Sequence, residues 1–446
     1  MTNPRQLAFT ALKEVHKGAY ADVALDRVLQ KFKLPDNDRR LMTELVYGCV
    51  RRQSTLDAII DQLATKKSQQ QPPDLRTILH LGLYQLRYQE KIPDSAAVNT
   101  TVELAKANGI SGLTGFVNGF LRQYLRLLET SSEPLQLPEN PVERLGILHS
   151  FPDWIIGVWL SQLGFEETEK LCQWMNQTPT IDLRVNILKS DIEKVESIFK
   201  DAGILVSKIP HLPQALRLIS STGGIQNLPG FKDGWWCVQD SSAQLVGHLL
   251  DPQPGEVVID VCAAPGGKTT HIAELMGDNG KIYACDKTAS RLRKLTENSK
   301  RLNLQSIEVC TGDSRNFTQF HNIADRVLLD APCSGLGTMH RHADARWRQT
   351  PASVKELSQL QKELLSHTAD FVKPGGVLVY ATCTLHPAEN EEVIAEFLAT
   401  HPHWQIEHPS FDFLDISTPG WLKVWPHQQN MDGFFMVRLR KTKDSE

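Results

Sequence analysis

Apolar positions in the first 128 residues recur with the period of a helix. In LRTILHLGLYQLRYQ (75–89), Leu75, Ile78, Leu79, Leu83 and Leu86 fall on one face. ELVYGCVRRQSTLDAIIDQL and AAVNTTVELAKANG follow the same spacing, and no strong alternation of period two interrupts them. This pattern predicts an all-α domain over 1–130. The Ser, Pro and Asn of SSEPLQLPENP (131–141) then punctuate the pattern, and a linker is expected over 131–144. Between 145 and 235 the pattern is mixed. LRVNIL (183–188) and ILVSKI (204–209) are strand-like, and DIEKVESIFKDAG (191–203) between them is an amphipathic helix ending in Gly. This segment is expected to be a small α+β domain.

From 236 to 446 the rhythm becomes strand–helix–strand. The expected strands are VVIDV (257–261), KIYACD (281–286), SIEVCTGD (306–313), RVLLD (326–330), GVLVYATC (376–383) and GFFMVRLRK (433–441). Helical patterns such as TTHIAELM and ASRLRKLTENSKRLN separate them. The alternation predicts a Rossmann-like α/β domain with a mostly parallel sheet, which binds ligands at the carboxyl ends of its strands.

Composition narrows the class. At 41% hydrophobic residues the 446-residue chain can bury ordinary cores, and no run approaches 18 apolar residues. The first residues lack the layout of a secretory signal, and the eight cysteines form neither a disulfide framework nor a Cys-x-x-Cys pair. A cytoplasmic protein with reduced thiols is expected. Residues 1–128 carry 18 Lys+Arg against 12 Asp+Glu, a net of +6, so the rest of the chain carries −10 of the total −4. Such asymmetry suits a nucleic-acid-facing module joined to an acidic partner domain, although surface charges also cluster without function.

The densest chemical signal is VVIDVCAAPGGKTTHIAELM (257–276). A strand runs into a turn of small residues and then a helix, so the backbone can approach a ligand closely. A phosphate loop, and with it an RNA-dependent NTPase, would use Gly267-Lys268-Thr269 but requires Gly where Cys262 stands. An adenosyl cofactor fits better. Asp286 ends the second strand, where it can accept from ribose hydroxyls. Asp313 ends the third, placed for an adenine amino group, and Asp260 ends the first, near a methionyl ammonium. Any one of these alone could be an ordinary turn cap.

DAPCSGLG (330–337) and YATCTLHPAEN (380–390) each put a cysteine just past a strand end, Cys333 and Cys383. On neighbouring strands both thiols would overlook one crevice. The pair suits C5 methylation of a pyrimidine: a thiolate adds to C6 and makes C5 nucleophilic, and a second group assists proton loss or release. Either cysteine could be the nucleophile on this argument, with Asp330 at the base edge. The other cysteines read as small buried hydrophobes. Arg341, Arg346 and Arg348 around Trp347 suit phosphate contacts and base stacking, or equally a helix entry with a buried Trp. The fifteen histidines form no ligand cluster, so no metal is expected.

These motifs resemble the Nol1/Nop2/Sun family of RNA cytosine-C5 methyltransferases: CAAPGGKT (262–269), Asp286, Asp313, DAPCSG (330–335) and ATCT (381–384), preceded by LRVNILK (183–189) and VQDSSAQL (238–245). PDSAAVNTTVELAK (93–106) and GFVNGFLR (115–122) resemble the NusB-like RNA-binding fold. The resemblance implies S-adenosylmethionine as cofactor, held by Cys262, Ala263, Ala264, Pro265, Gly266, Gly267, Lys268, Asp286, Asp313 and Asp330. It implies Cys383 as nucleophile and Cys333 in product release. The implied substrate is 16S rRNA at cytosine 967, naked or in an early assembly intermediate, and the expected state is a monomer. Transfer RNA or another rRNA, and a non-catalytic RNA-binding factor, are the alternatives. Ala343 departs from the pattern, where Pro is expected.

Overall fold

The helical periodicity of the N-terminal part resolves into α1 (Pro4–His16), α2 (Ala21–Lys31), α3 (Asp36–Arg51), α4 (Gln53–Leu63), α5 (Pro73–Tyr88), α6 (Asp94–Ala107) and α7 (Thr114–Thr130). They belong to a computed structural model that describes residues 3–131, 133–219, 223–408 and 420–443. Local chemistry starts these helices: the Asn3 side chain accepts the Arg5 N–H at 2.9 Å, and Pro4 occupies the first turn of α1. The expected apolar face of α5 is buried at Leu75, Ile78, Leu79 and Leu83, with Leu86 partly buried against the same core.

Two further helices extend this unit, α8 (Pro141–His149) and α9 (Asp153–Trp174), the latter broken at Gly164 where φ is +73°. The chain forms two compact units, Met1–Gln177 with Met339–Arg348, and Thr178–Thr338 with Gln349–Glu446. The compact helical unit therefore runs past the expected all-α segment, taking in α8 and α9 as well. α8 is fastened to α4 by hydrogen bonds from Thr55 Oγ1 to the Ile147 carbonyl (2.6 Å) and from Ser54 N–H to Ser150 Oγ (2.9 Å). The segment expected as a linker is likewise pinned, Gln62 Nε2 donating to the Pro134 carbonyl at 2.9 Å; Ser132 within it lies outside the described residues.

In the second unit, β1 (Ile181–Val185), α10 (Ile192–Asp201), β2 (Val206–Lys208), β3 (Ala215–Leu218) and β4 (Trp236–Val238) build an antiparallel sheet in the order β2-β3-β1-β4. Its core is Leu183, Val195, Phe199, Leu216 and Trp236. The larger sheet alternates with helices: α11 (Ser241–Leu250), β5 (Val257–Asp260), α12 (Gly267–Leu275), β6 (Lys281–Asp286), α13 (Ala289–Leu302), β7 (Ile307–Thr311) and β8 (Ala324–Asp330). After Thr338 the chain contributes α14 (Ala345–Arg348) to the helical unit. It returns as α15 (Pro351–Ala369), β9 (Val372–Thr382), α16 (Glu391–Thr400), β10 (Trp404–Ile406), β11 (Trp421–Val424), α17 (Pro426–Gln429) and β12 (Phe434–Lys441).

The sheet order is β10-β12-β9-β8-β5-β6-β7, with β11 added alongside β12. Strands β5 to β9 run parallel, and β12 is antiparallel to β9, β10 and β11. The chain order reverses between β5 and β8, and at such a switch point the crevice beyond the strand ends receives ligands.

The excursion of residues 339–348 corrects a second expectation. Arg346, expected to contact RNA, has no accessible surface. Its guanidinium stacks on Phe151 at 4.0 Å and donates to the Ser150 carbonyl (3.0 Å), the Arg51 carbonyl (3.3 Å) and Asn176 Oδ1 (3.1 Å). Trp347 Nε1 donates to the Val50 carbonyl at 2.7 Å. Arg348 stacks on Tyr20 and donates to the Gly18 and Ala19 carbonyls. Arg341 lies in the same segment. Basic and aromatic residues here close the helical unit by satisfying helix-end carbonyls that would otherwise be buried and unpaired. Ala343, where Pro was expected, is fully buried in this core. Truncating Arg346 to Ala should destabilise the protein by about 3 kcal/mol or more, read as a lower urea midpoint of the full-length chain.

Candidate active site

The edge formed by the carboxyl ends of β5, β6, β8 and β9 gathers most of the sequence-predicted site. Asp260 ends β5 with no accessible surface. Its Oδ2 accepts from Thr269 Oγ1 at 2.6 Å, while no described donor meets Oδ1 in hydrogen-bond geometry. Burial, reinforced by the charge of Asp330, pushes its pKa up to about 7. The turn that follows is shaped by Gly266, whose φ is +105°. A Cβ there would meet Leu295 of α13 at 2.7–2.9 Å, so only glycine lets the loop lie against that helix.

Asp286 ends β6 and holds the loop from the other side. Its Oδ2 accepts the Ala264 N–H at 3.3 Å and its Oδ1 the Thr288 N–H at 2.8 Å, while Arg291 donates to the Ala264 carbonyl at 3.0 Å. Asp313, just past β7, is gripped by Arg315 through Nε (3.0 Å) and an Nη (2.7 Å). Those hydrogen bonds hold its pKa at about 2. Burial raises the Cys262 thiol, which keeps it protonated beside three carboxylates.

Lys268, expected in the cofactor loop, reaches across to Asp330 at the end of β8 (2.7 Å) and lies over the Phe434 ring at 4.9 Å. Burial alone would lower its pKa; Asp330, with Cys383 and Asp260 further off, more than reverses this. Cys333 and Cys383 follow β8 and β9, neighbouring parallel strands paired Leu329↔Tyr380 and Asp330↔Ala381. Their sulfurs are 3.4 Å apart. The hydrogen bond to Cys383 and burial both raise the Cys333 thiol, so it stays protonated and can act as a donor. The pair of thiols and the Lys268–Asp330 ion pair thus lie at one edge of the sheet.

Sequence reasoning missed the residues that hold the cysteine loops. Ser334, Thr384, Glu389 and Asn390 are fully buried or nearly so, and Gln361 reaches them from α15. The quoted motifs contained four of the five, but motif spacing alone does not reveal a hydrogen-bond network. Arg184 of β1 was also missed. It forms a wholly buried ion pair with Glu274 of α12 (2.8 Å) and donates to Thr270 Oγ1 (3.0 Å) and to the Gly267 carbonyl (2.7 Å) in the cofactor loop.

An unpartnered buried carboxylate oxygen, two further acidic strand ends and a tight small-residue turn suit a cationic adenosyl cofactor better than a nucleoside triphosphate. Among the described residues no group of His, Cys, Asp or Glu is arranged to hold a metal ion, and no helix is long and apolar enough to cross a membrane.

Residues 247–440 match the 16S rRNA methyltransferase RsmB/F family, residues 2–126 the NusB family, and residues 151–223 the ferredoxin-like domain of RsmF/B-like methyltransferases. The probable ribosomal RNA small subunit methyltransferase B of Synechocystis sp. is 50% identical over 99% of this chain and all of its own length. The chain belongs to the RsmB/F family. Its relative in Bacillus subtilis, also a probable small subunit methyltransferase B, is 37% identical over 99% of both chains. Among solved structures, PH0851 covers 99% of each chain with a TM-score of 0.81 and 28% identity. NSun6 from Pyrococcus horikoshii, solved with the S-adenosylmethionine analogue SFG, covers 67% of this chain and all of its own with a TM-score of 0.61 and 25% identity. Membership of the RsmB/F family makes the chain an S-adenosylmethionine-dependent rRNA methyltransferase. It also fits the middle sheet as a ferredoxin-like domain.

The buried acid of the site gives a pH dependence. Asp260 has a folded pKa of about 7 against 3.8 for the free side chain. Folding thus favours its protonated form: the contribution is complete below pH 4 and is lost as pH rises towards 7, on the order of 4 kcal/mol over that interval. Asp260→Asn should remove this slope. Urea unfolding at pH 5 and pH 8 should show Asn gaining on wild type at the higher pH.

Proposed function

We propose that this chain methylates C5 of one cytosine in 16S rRNA, cytosine 967, through a covalent bond between Cys383 and C6. The observation that carries the reading is the pair of sulfurs 3.4 Å apart at the ends of adjacent strands, beside Lys268 and Asp330. A half-buried pair of adjacent thiols has little purpose in an amine or oxygen methyltransferase, whose substrates are already nucleophilic. C5 of cytosine requires activation by addition at C6. Full-length similarity to small subunit methyltransferase B proteins supports the rRNA substrate.

The loop Cys262–Ala263–Ala264–Pro265–Gly266–Gly267–Lys268, with Asp286, Asp313 and Asp330, would hold S-adenosylmethionine. When bound, this cofactor supplies an electrophilic methyl group. The remaining work belongs to the chain. Cys383 adds to C6, forming the S–C bond and moving electron density to C5. Asp330, held by Lys268, faces the base edge and favours its protonated form at N3. After C5 carries the methyl group, its hydrogen leaves as a proton to a base and the electron pair expels the Cys383 sulfur. Cys333 lies against that leaving sulfur as a protonated thiol and assists release. The target base must be flipped into the crevice, with the helical domain holding RNA.

Bisulfite sequencing of 16S rRNA from cells lacking this gene should show loss of one protected cytosine. Wild type should restore it and Cys383→Ser should not. Unchanged protection in the deletion strain would move the substrate to transfer RNA or the large subunit. With purified protein, Cys333→Ser should accumulate an SDS-stable protein–RNA adduct; clean multiple turnover without adduct would remove Cys333 from the release step.

A further inference from the structure

Both cysteine loops are tied to one buried acid. Glu389 has no accessible surface, and its carboxylate collects donors from three segments. Oε1 accepts the Ser334 N–H at 2.8 Å and Gln361 Nε2 at 3.0 Å. Oε2 accepts the hydroxyls of Ser334 and Thr384, which are themselves 2.8 Å apart. Ser334 directly follows Cys333, and Thr384 directly follows Cys383. One residue beyond each sulfur, the chain is therefore bound to the same carboxylate.

The neighbouring contacts close the frame. Gln361 also donates to the carbonyl of Pro332, the residue before Cys333, at 2.9 Å. Asn390 brackets Cys383, accepting from Thr382 Oγ1 (2.6 Å) and donating to the Thr384 carbonyl (3.0 Å). Tyr380 OH donates to the Glu389 carbonyl at 2.6 Å. On the far side, Gly337 N–H donates to the Cys383 carbonyl at 2.9 Å, and a Cβ at Gly337 would press on that carbonyl at 2.8 Å. Against this frame, the Cys333 sulfur meets that of Cys383 at 3.4 Å.

Burying a carboxyl is costly, and burial raises the Glu389 pKa. An acid whose only task was to fill space here could be replaced by an apolar side chain. What an acid adds is acceptor capacity: four donors from both loops and α15 converge on it, and an amide would turn its own NH2 towards some of them. We propose that Glu389 is a positioning residue for the two-thiol reaction, locking the loops after β8 and β9 together so that Cys333 and Cys383 stay within S–H···S reach. Its consequence for catalysis rests on the two-cysteine reading above. The placement of the thiols, however, is measurable without any methylation.

The test uses full-length Glu389→Gln and, as a milder change, Thr384→Val, which removes one donor while keeping the side-chain shape. Diamide takes one hydrogen from each thiol and is reduced to its hydrazine, so the rate of Cys333–Cys383 disulfide closure, followed by peptide mass mapping, reports their proximity. In Glu389→Gln, closure and kcat should each fall by about tenfold or more, since a misplacement near 1 Å costs up to about a hundredfold. KM for RNA and the S-adenosylmethionine Kd should stay within about twofold, because Glu389 has no accessible surface to offer either ligand. Thr384→Val should show a smaller fall in closure, and decides the matter if Glu389→Gln does not fold. Closure at the wild-type rate in the folded variants would overturn the proposal, whether or not kcat changes. A wild-type enzyme that fails to methylate RNA would instead overturn the two-cysteine reading, while the comparison of closure rates still decides the role of Glu389.

Discussion

The register of the β8–β9 pair is the constraint on which the site depends. These strands run parallel with Asp330 opposite Ala381, and the ladder continues one step further through Ala331 N–H to the Ala381 carbonyl at 2.8 Å. Cys333 and Cys383 leave the two strands within two or three residues of that last rung, so their sulfurs meet at the same height. In a sheet a slip of one residue would send every side chain to the opposite face. Here it would also part the thiols. Buried apolar residues on both strands, among them Val327, Leu328, Leu329, Leu378, Val379 and Tyr380, make that slip prohibitive. Hydrophobic patterning thus sets the geometry of a polar reaction centre.

A second constraint joins the ferredoxin-like sheet to the cofactor loop. Arg184 and Glu274 are both without accessible surface, and removing one partner of such a pair generally costs about 3–5 kcal/mol. The same guanidinium holds the Gly267 carbonyl, and Asp182, two residues earlier, pairs with Arg217 and accepts from Ser241 Oγ at the start of α11. The small antiparallel sheet is therefore wired into both helices that flank β5. It is part of the catalytic framework as well as an appendage to it.

Much of this was legible in the sequence because it is written in local periodicity. The strands at 257, 281, 307 and 434 and the helix carrying Leu75 to Leu86 follow from spacing alone. So does the convergence of Asp260, Lys268, Asp330, Cys333 and Cys383 on one sheet edge, once strand order is assumed. Elements of three or four residues, such as β4, β10 and β11, carry too few positions to show a period. The RHADARWR segment misled for a different reason. Exposed arginines for phosphate and buried arginines for helix-end carbonyls use the same donors, and only the partners, here the carbonyls of Arg51 and Ser150, distinguish them. Glu389 escaped notice because its four donors come from positions 334, 361 and 384, which are separated in sequence and meet only through the fold.

The excursion of Met339–Arg348 into the helical unit also bears on synthesis. A ribosome delivers the chain from the N-terminus, and α1 to α9 emerge long before Arg346 arrives to cap the carbonyls of Arg51 and Ser150. Until then the helical unit lacks its last buried strut. By that moment β5 to β8 have also emerged, so the first unit is completed only after much of the second has been made. The plug that completes the first unit is drawn from the loop just after Cys333, so a cut between Gln177 and Thr178 separates the helical unit from its own last segment.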